Sequence, residues 1–199
     1  IKKMQKRNFE GFYFDSAKEA VDAIVHLIPA GSLIGLGGSE TVIETGLVEV
    51  LRKMKITLLD RYADGVSRER IDEMRREGLL SDIYIAGCNA IIEDGRLVNM
   101  DGMGNRVAAM AYGPKKVILM AGVNKIVTSL DQAIDRIKNV AAPMDAVRVG
   151  VKSPCATLGS CNEPHCHPPH RICSSLSIME ASWFQGRITV ILVGESLGY

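Results

Sequence analysis

Leu33-Ile34-Gly35-Leu36-Gly37-Gly38-Ser39-Glu40-Thr41 is the stretch that decides the fold class. A short apolar run enters a glycine turn, and Ser39 stands as N-cap ahead of Val42, Ile43, Gly46, Leu47, Val50, Leu51 and Met54 at helical spacing. Strand, tight turn and helix make the repeating unit of an α/β sheet. The alternation continues upstream, where Ser16 precedes Ala17, Ala20, Val21, Ile24, Val25 and Ile28, with Glu19 in capping-box position and Pro29-Ala30-Gly31 as the stop. Downstream, Ile56–Leu59 reads as a strand and Ser67–Gly78 as a charged helix with Ile71 and Met74 as its apolar contacts. Ile83–Ala86 is the next strand. Ala90–Ile92 and Leu97–Met100 flank Asp94-Gly95, a two-residue hairpin signal. Val117–Ala121 is a continuous apolar strand. Ser129 and Gln132 open a helix carrying Ala133, Ile134, Ile137 and Val140, with Pro143 as its expected end. Leu176–Met179 and Ile188–Val193 return to strand. The expectation is one α/β domain over residues 1–199: a single open, mostly parallel sheet flanked by helices, interrupted by a Cys/Pro/His-rich loop at about 153–174.

Of 199 residues 47% are hydrophobic, enough for one sizeable core. A formal charge of +1 is no footprint for wrapping nucleic acid or docking on an anionic membrane, so a small, locally steered ligand is expected. Val117–Val123 and Ile188–Gly194 fall far short of the ~20 apolar residues of a membrane helix. No charged-then-apolar leader is read, and the chain is expected to be soluble and cytoplasmic. The polar start Ile1–Asn8 reads as the end of a longer helix.

Three stretches carry candidate chemistry. In the glycine turn, Gly35, Gly37 and Gly38 permit close backbone approach, and Ser39 and Thr41 add hydroxyls, a set suited to a phosphate or carboxylate. Neither a G-x-G-x-x-G dinucleotide fingerprint nor the Gly-Lys-Ser/Thr of a P-loop is present. The plainer alternative is a tight strand-to-helix turn. The second stretch is Asn99-Met100-Asp101-Gly102-Met103-Gly104-Asn105-Arg106. There Asp101 is the candidate base, Gly104 and Asn105 join the rim, and Arg106 is the candidate clamp for an anion. Its alternative is turn chemistry beside a solvated arginine.

The third stretch runs from Pro154 to Cys173 and holds Cys155, Cys161, Cys166 and Cys173 with four prolines and three histidines. Four thiolates suit an iron–sulfur cluster, of the [4Fe–4S] type, or a tetrahedral zinc. Gaps of five, four and six residues match neither a ferredoxin run nor zinc-ribbon knuckles, and free thiols or a disulfide remain open. Cys88 reads as a buried core cysteine and His26 as an ordinary helix residue.

Leu97–Ala109 with its Asp-Gly-x-Gly-Asn-Arg block, Gly113-Pro114-Lys115-Lys116-Val117, Gly122–Val127 and the closing Val190–Tyr199 together resemble the lactate-utilisation (LUD) domain family over nearly the whole chain. The resemblance implies a fold similar to the ribose-phosphate isomerase and CoA-transferase superfamily, with the glycine loop and the Asp-Gly-x-Gly-Asn loop bordering one cleft for an anionic substrate. No counterpart of the isomerases' catalytic acidic and lysine set is recognisable, nor a CoA-transferase glutamate. The cysteine stretch is similar to a Pro-Cys-Ala-x-Thr-Gly-x-Cys segment of some LUD proteins, with Leu158 displacing the usual glycine. Family members work beside iron–sulfur subunits in oxidising L-lactate. This implies an iron–sulfur component of 2-hydroxy acid utilisation, binding a small organic acid or phosphorylated metabolite, with iron–sulfur redox proteins as partners. A structural zinc in an accessory or regulatory binding protein, or an isomerase- or transferase-like enzyme, are the alternatives. A homo-oligomer is a fold-level expectation.

Overall fold

The computed structural model describes residues 1–199. α1 (Lys2–Gln5) and β1 (Glu10–Phe14) precede α2 (Ala17–His26), which begins with the predicted Ser16/Glu19 capping box. β2 (Leu33–Leu36) leads into α3 (Glu40–Glu44), α4 (Leu47–Leu51) and β3 (Thr57–Leu59). Next come α5 (Arg68–Glu77), β4 (Ile83–Gly87), β5 (Ala90–Ile92), β6 (Leu97–Asp101) and α6 (Asn105–Ala111). β7 (Lys116–Gly122), β8 (Ile126–Val127), α7 (Leu130–Arg136), α8 (Ala142–Val149), α9 (Pro154–Leu158), β9 (Ser175–Met179) and β10 (Ile188–Val193) follow.

Six strands form a parallel sheet in the order β1-β10-β7-β4-β2-β3, flanked by helices as the alternating pattern predicts. β7 and β10 are apolar along almost their whole length because both faces of the central sheet are covered. Along β7, Ile118 and Met120 join Val21 and Ile24 of α2, Val42 of α3 and Leu47 of α4 in one cluster. Val117, Leu119 and Ala121 alternate to the other face and join Met4, Ala109 and Met110.

The hairpin strands belong to a second, four-stranded sheet, in the order β8-β5-β6-β9. β6 pairs antiparallel with both β5 and β9, so the segment following the cysteine loop is tied directly to the strand that ends in Asp101.

Two helix expectations change. The helix expected over Val42–Met54 is two short helices, because Gly46 adopts φ +71° and breaks the first before Leu47 starts the second. The helix opened by Ser129 does not stop at Pro143. It passes through a π turn at Ile137–Ala141 and restarts as α8, with Pro143 in the first turn where its missing N–H costs little. No helix is long and apolar enough to cross a membrane.

Candidate functional site

Parallel α/β sheets place ligands in crevices outside the carboxyl ends of their strands. Here a cleft of about 600 Å³ lies at that edge, lined by Gly38 and Ser39 after β2, by Gly87 to Asn89 at the end of β4, and by Lys125 after β7. Asp101, Asn105 and Arg106 border it from β6 and α6. Ile172, Cys173 and Ser174 close it from the cysteine loop.

The glycine turn is held open from behind. The Tyr62 hydroxyl donates to the Gly37 carbonyl at 2.8 Å and accepts from the Ser39 N–H at 3.1 Å. The Ser39 hydroxyl accepts from the Val42 N–H at 3.2 Å and so caps α3. Gly38 and Ser39 reach the cleft, whereas Gly35, Gly37, Thr41 and Gly104 are not in its lining. Gly35 answers to packing: a Cβ there would come within 2.8 Å of the Tyr84 ring and 3.0 Å of the Gly78 Cα. Thr41 is fully buried behind the turn. Gly104 precedes α6 at φ +83°, a conformation that favours glycine.

Asp101 and Arg106 are brought together, chiefly to bind each other. Asp101 accepts the backbone N–H groups of Arg106 and Val107 at 2.8 and 2.9 Å, capping α6, and pairs with the Arg106 guanidinium at 2.7 Å. Arg106 directs all five of its N–H donors at protein acceptors. Nε donates to Asp101, Nη1 to the Gly87 carbonyl and Asn99 Oδ1, and Nη2 to Asn89 Oδ1 and the Met100 carbonyl. Both residues are 8% exposed. The guanidinium therefore fastens β4, β6 and α6 into one cleft wall and has no donor left for a ligand.

Three cleft residues escaped sequence reasoning or were read as structural. Cys88 is buried as expected, and burial pushes its thiol up, yet it lies in the cleft lining. Lys125 is 4% exposed, its Nζ donates to Thr41 Oγ1 at 2.7 Å, and burial pulls its ammonium down to about 8. Arg61, half-buried beside the Tyr62 ring at 5.6 Å, leans over Gly38. The available signal for Lys125 was its place just beyond the carboxyl end of a central apolar strand.

The cysteine loop is folded rather than open coil. Cys155 is buried in the first turn of α9, with Sγ 3.1 Å from Ser153 Oγ, and the Cys161 N–H donates to Asn139 Oδ1 at 2.9 Å. Arg171 draws the loop closed by donating to the carbonyls of Cys166 and Cys173 at 3.1 and 2.7 Å, and Glu163 bridges Arg171 and Lys138. Those two cations hold the Glu163 carboxyl down to about 2. All four cysteines, in thiol form, line one cavity of about 20 Å³ together with Arg171 and Ile172. Their side chains do not converge on a single point: no three His, Cys, Asp or Glu groups sit closely enough to hold one ion. Burial, then the neighbouring Cys155 and Cys161, push the Cys173 thiol up to about 11. Four sulfur donors on one loop are the residue type that a metal group needs, but as placed they would have to draw together to hold one. His165, His167 and His170 are not in the cavity lining.

A family model described as LUD domain matches residues 1–193. The chain belongs to the LUD domain family. This LUD domain is similar in structure to a DUF162 family protein from Deinococcus radiodurans at 16% identity, covering 97% of this chain and 93% of that one with a TM-score of 0.53. At that identity the likeness is one of fold. Coarser matches are ribose 5-phosphate isomerase A from Methanocaldococcus jannaschii (14% identity, 82% and 78% of the two chains, TM-score 0.38) and eIF2B beta from Chaetomium thermophilum (17%, 58% and 44%, 0.41). No curated protein matches the sequence. The family read from the Asp-Gly-x-Gly-Asn-Arg block is thus the right one for this LUD domain.

Proposed function

We propose that this LUD domain protein binds a small anionic metabolite in the cleft and holds an iron–sulfur cluster, of the [4Fe–4S] type, on Cys155, Cys161, Cys166 and Cys173, serving as a redox component of 2-hydroxy acid utilisation such as that of lactate. The observation that carries the reading is the sharing of one cavity by four cysteines spread from 155 to 173, with Cys173, Arg171 and Ile172 also forming part of the cleft wall. Four sulfur donors match the ligand number of a cubane cluster, and when bound such a cluster supplies one-electron transfer. Arg171 and Lys138 bring positive charge to the same loop, where they partly offset the negative charge of four thiolates. The metabolite would lie against Gly38 and Ser39 on one side and Asn105 on the other, with Asp101 and Arg106 fixing the wall between them.

Anaerobic purification of the full chain tests the cluster. The expected product is brown, with about four iron and four acid-labile sulfide per chain, and Cys173→Ser lowers both. A colourless protein without iron, or one carrying zinc alone, overturns this reading.

A further inference from the structure

The cleft holds more positive charge than its own carboxylates neutralise. Arg61, Arg75, Arg106, Lys125, Arg148 and Arg171 all line it. Arg75 pairs with Asp72, Arg106 with Asp101, Arg148 with Asp145 and Glu40, and Arg171 with Glu163. Arg61 and Lys125 make no ion pair. Resting only on the reading of the cleft as an anion site, and not on lactate being its ligand, we propose that Lys125 and Arg61 are the pair that binds the ligand's anionic group, and that together they select a dianion over a monocarboxylate.

Geometry supports both members. Lys125 is buried at 4% exposure, and Thr41 Oγ1 takes one of its three N–H donors. The groups facing it are Thr41 and Glu44 from α3, Cys88 beyond β4, Arg106 from α6 and Arg136 from α7. Of these Glu44 accepts the Gly198 N–H, and Arg136 adds a like charge. Arg61 lies on the opposite side of the turn, its Nη1 3.7 Å from where a Cβ on Gly38 would stand. Burial lowers its pKa, and Arg75 and Arg148 lower it further by repulsion. A buried cation without a counterion is costly to a fold. Lys125 is such a cation, and half-buried Arg61 adds a second unpaired charge beside the Gly38-Ser39 turn, so that a ligand of charge −2, either a phosphate ester or a dicarboxylate, balances the two. A monocarboxylate leaves one uncompensated.

Because burial draws Lys125 down to about 8, part of it is neutral at pH 8.5, and an arriving anion restores its charge. Binding therefore takes up a fraction of a proton at that pH.

Isothermal titration of the full-length holoprotein at pH 8.5, in two buffers of different ionisation enthalpy, reads this directly. The probes are glycerol 3-phosphate, malonate and lactate, the first two fully dianionic at that pH. At least one dianion is expected to bind about tenfold or more tightly than lactate, with proton uptake, and whichever does so identifies the phosphate or the dicarboxylate source. Lys125→Arg abolishes the proton uptake and keeps the affinity within severalfold. Arg61→Gln weakens the dianion about tenfold, and Arg61→Lys recovers part of the loss. Unfolding midpoints of the variants confirm that each is folded. Lactate binding as tightly as both dianions overturns the charge selection. A dianion that binds Arg61→Gln as tightly as the unaltered protein, or whose proton uptake survives in Lys125→Arg, overturns the pair while leaving the cleft reading intact. Failure of all three probes to bind overturns both.

Discussion

Replacing Arg106 by lysine removes two of five N–H donors and the planar fork that reaches Asp101, Asn89 and Asn99 at once. The charge beside Asp101 is kept but two hydrogen bonds to buried acceptors are lost, so Arg106→Lys is expected to lower stability by about 2–4 kcal/mol, read as a fall in the urea midpoint of unfolding. An unchanged midpoint would mean that the guanidinium is free for a ligand after all. The sequence displays Asp101 and Arg106 five positions apart, and such a spacing looks alike whether the pair rims a ligand or binds itself. What separates the two cases is Asn89, delivered by the β4–β5 connection from seventeen residues away, and no local pattern announces it. Lys125 was hidden for the opposite reason. A single lysine after an apolar strand resembles a solvated strand end, and only the parallel order of β2, β4 and β7 turns that end into the floor of a cleft.

The strand–turn–helix unit at β2 was legible because glycine, serine and the apolar spacing agree, but the glycines in it serve different ends. Gly35 faces the Tyr84 ring and Ser81 Oγ, at 2.8 and 2.9 Å from an added Cβ, whereas at Gly38 the nearest atoms are the Arg61 and Arg148 guanidinium nitrogens at 3.7 and 4.0 Å. Gly35→Ala is therefore expected to cost about 1–3 kcal/mol in thermal or urea unfolding through overpacking. Gly38→Ala should leave stability nearly unchanged and weaken anion binding in titration. The opposite pattern, with stability lost at Gly38 and binding lost at Gly35, would assign the roles the other way round. Helix boundaries were less legible. Gly46 is tolerated inside a helical pattern in general, and here its left-handed backbone cuts one helix into two. Pro143 normally announces a stop, but the π turn at Ile137–Ala141 lets the chain restart around it. That turn lies between the two cavities, with Ile137 and Ala141 in the cleft lining and Lys138 in that of the cysteine cavity.

Across the whole molecule, apolar alternation made the parallel sheet readable, since β7 and β10 are covered on both faces and their sequences show it. The hairpin and the strand at Leu176–Met179 were read, but not that they form a second sheet apart from the expected single one, because β8 is only two residues long and β9 leaves Leu176 and Ile178 exposed, so that no buried run marks the pairing. A net charge of +1 conceals local concentration: six cations line a cleft with only three carboxylates, Glu40, Asp101 and Asp145, in its wall. The same division of labour governs stability. The two large apolar clusters lie in and around the parallel sheet, and of the loop over 153–174 only Cys155 and Ser153 are buried. That loop is held by Arg171, Glu163 and Lys138, ion pairs at a partly exposed surface that contribute little on their own. If the proposed cluster is present, stripping it with a chelator and an oxidant should therefore loosen the loop and spare the sheet. Trypsin cleavage after Lys152 and Arg171 is expected to speed up about tenfold or more, as local opening no longer has to break metal–thiolate bonds, while the thermal midpoint of the remaining fold moves little. Equal cleavage before and after stripping would show that the thiols carry no stabilising centre. Cooperative loss of the whole structure would show that the loop is part of the core rather than an addition to its edge.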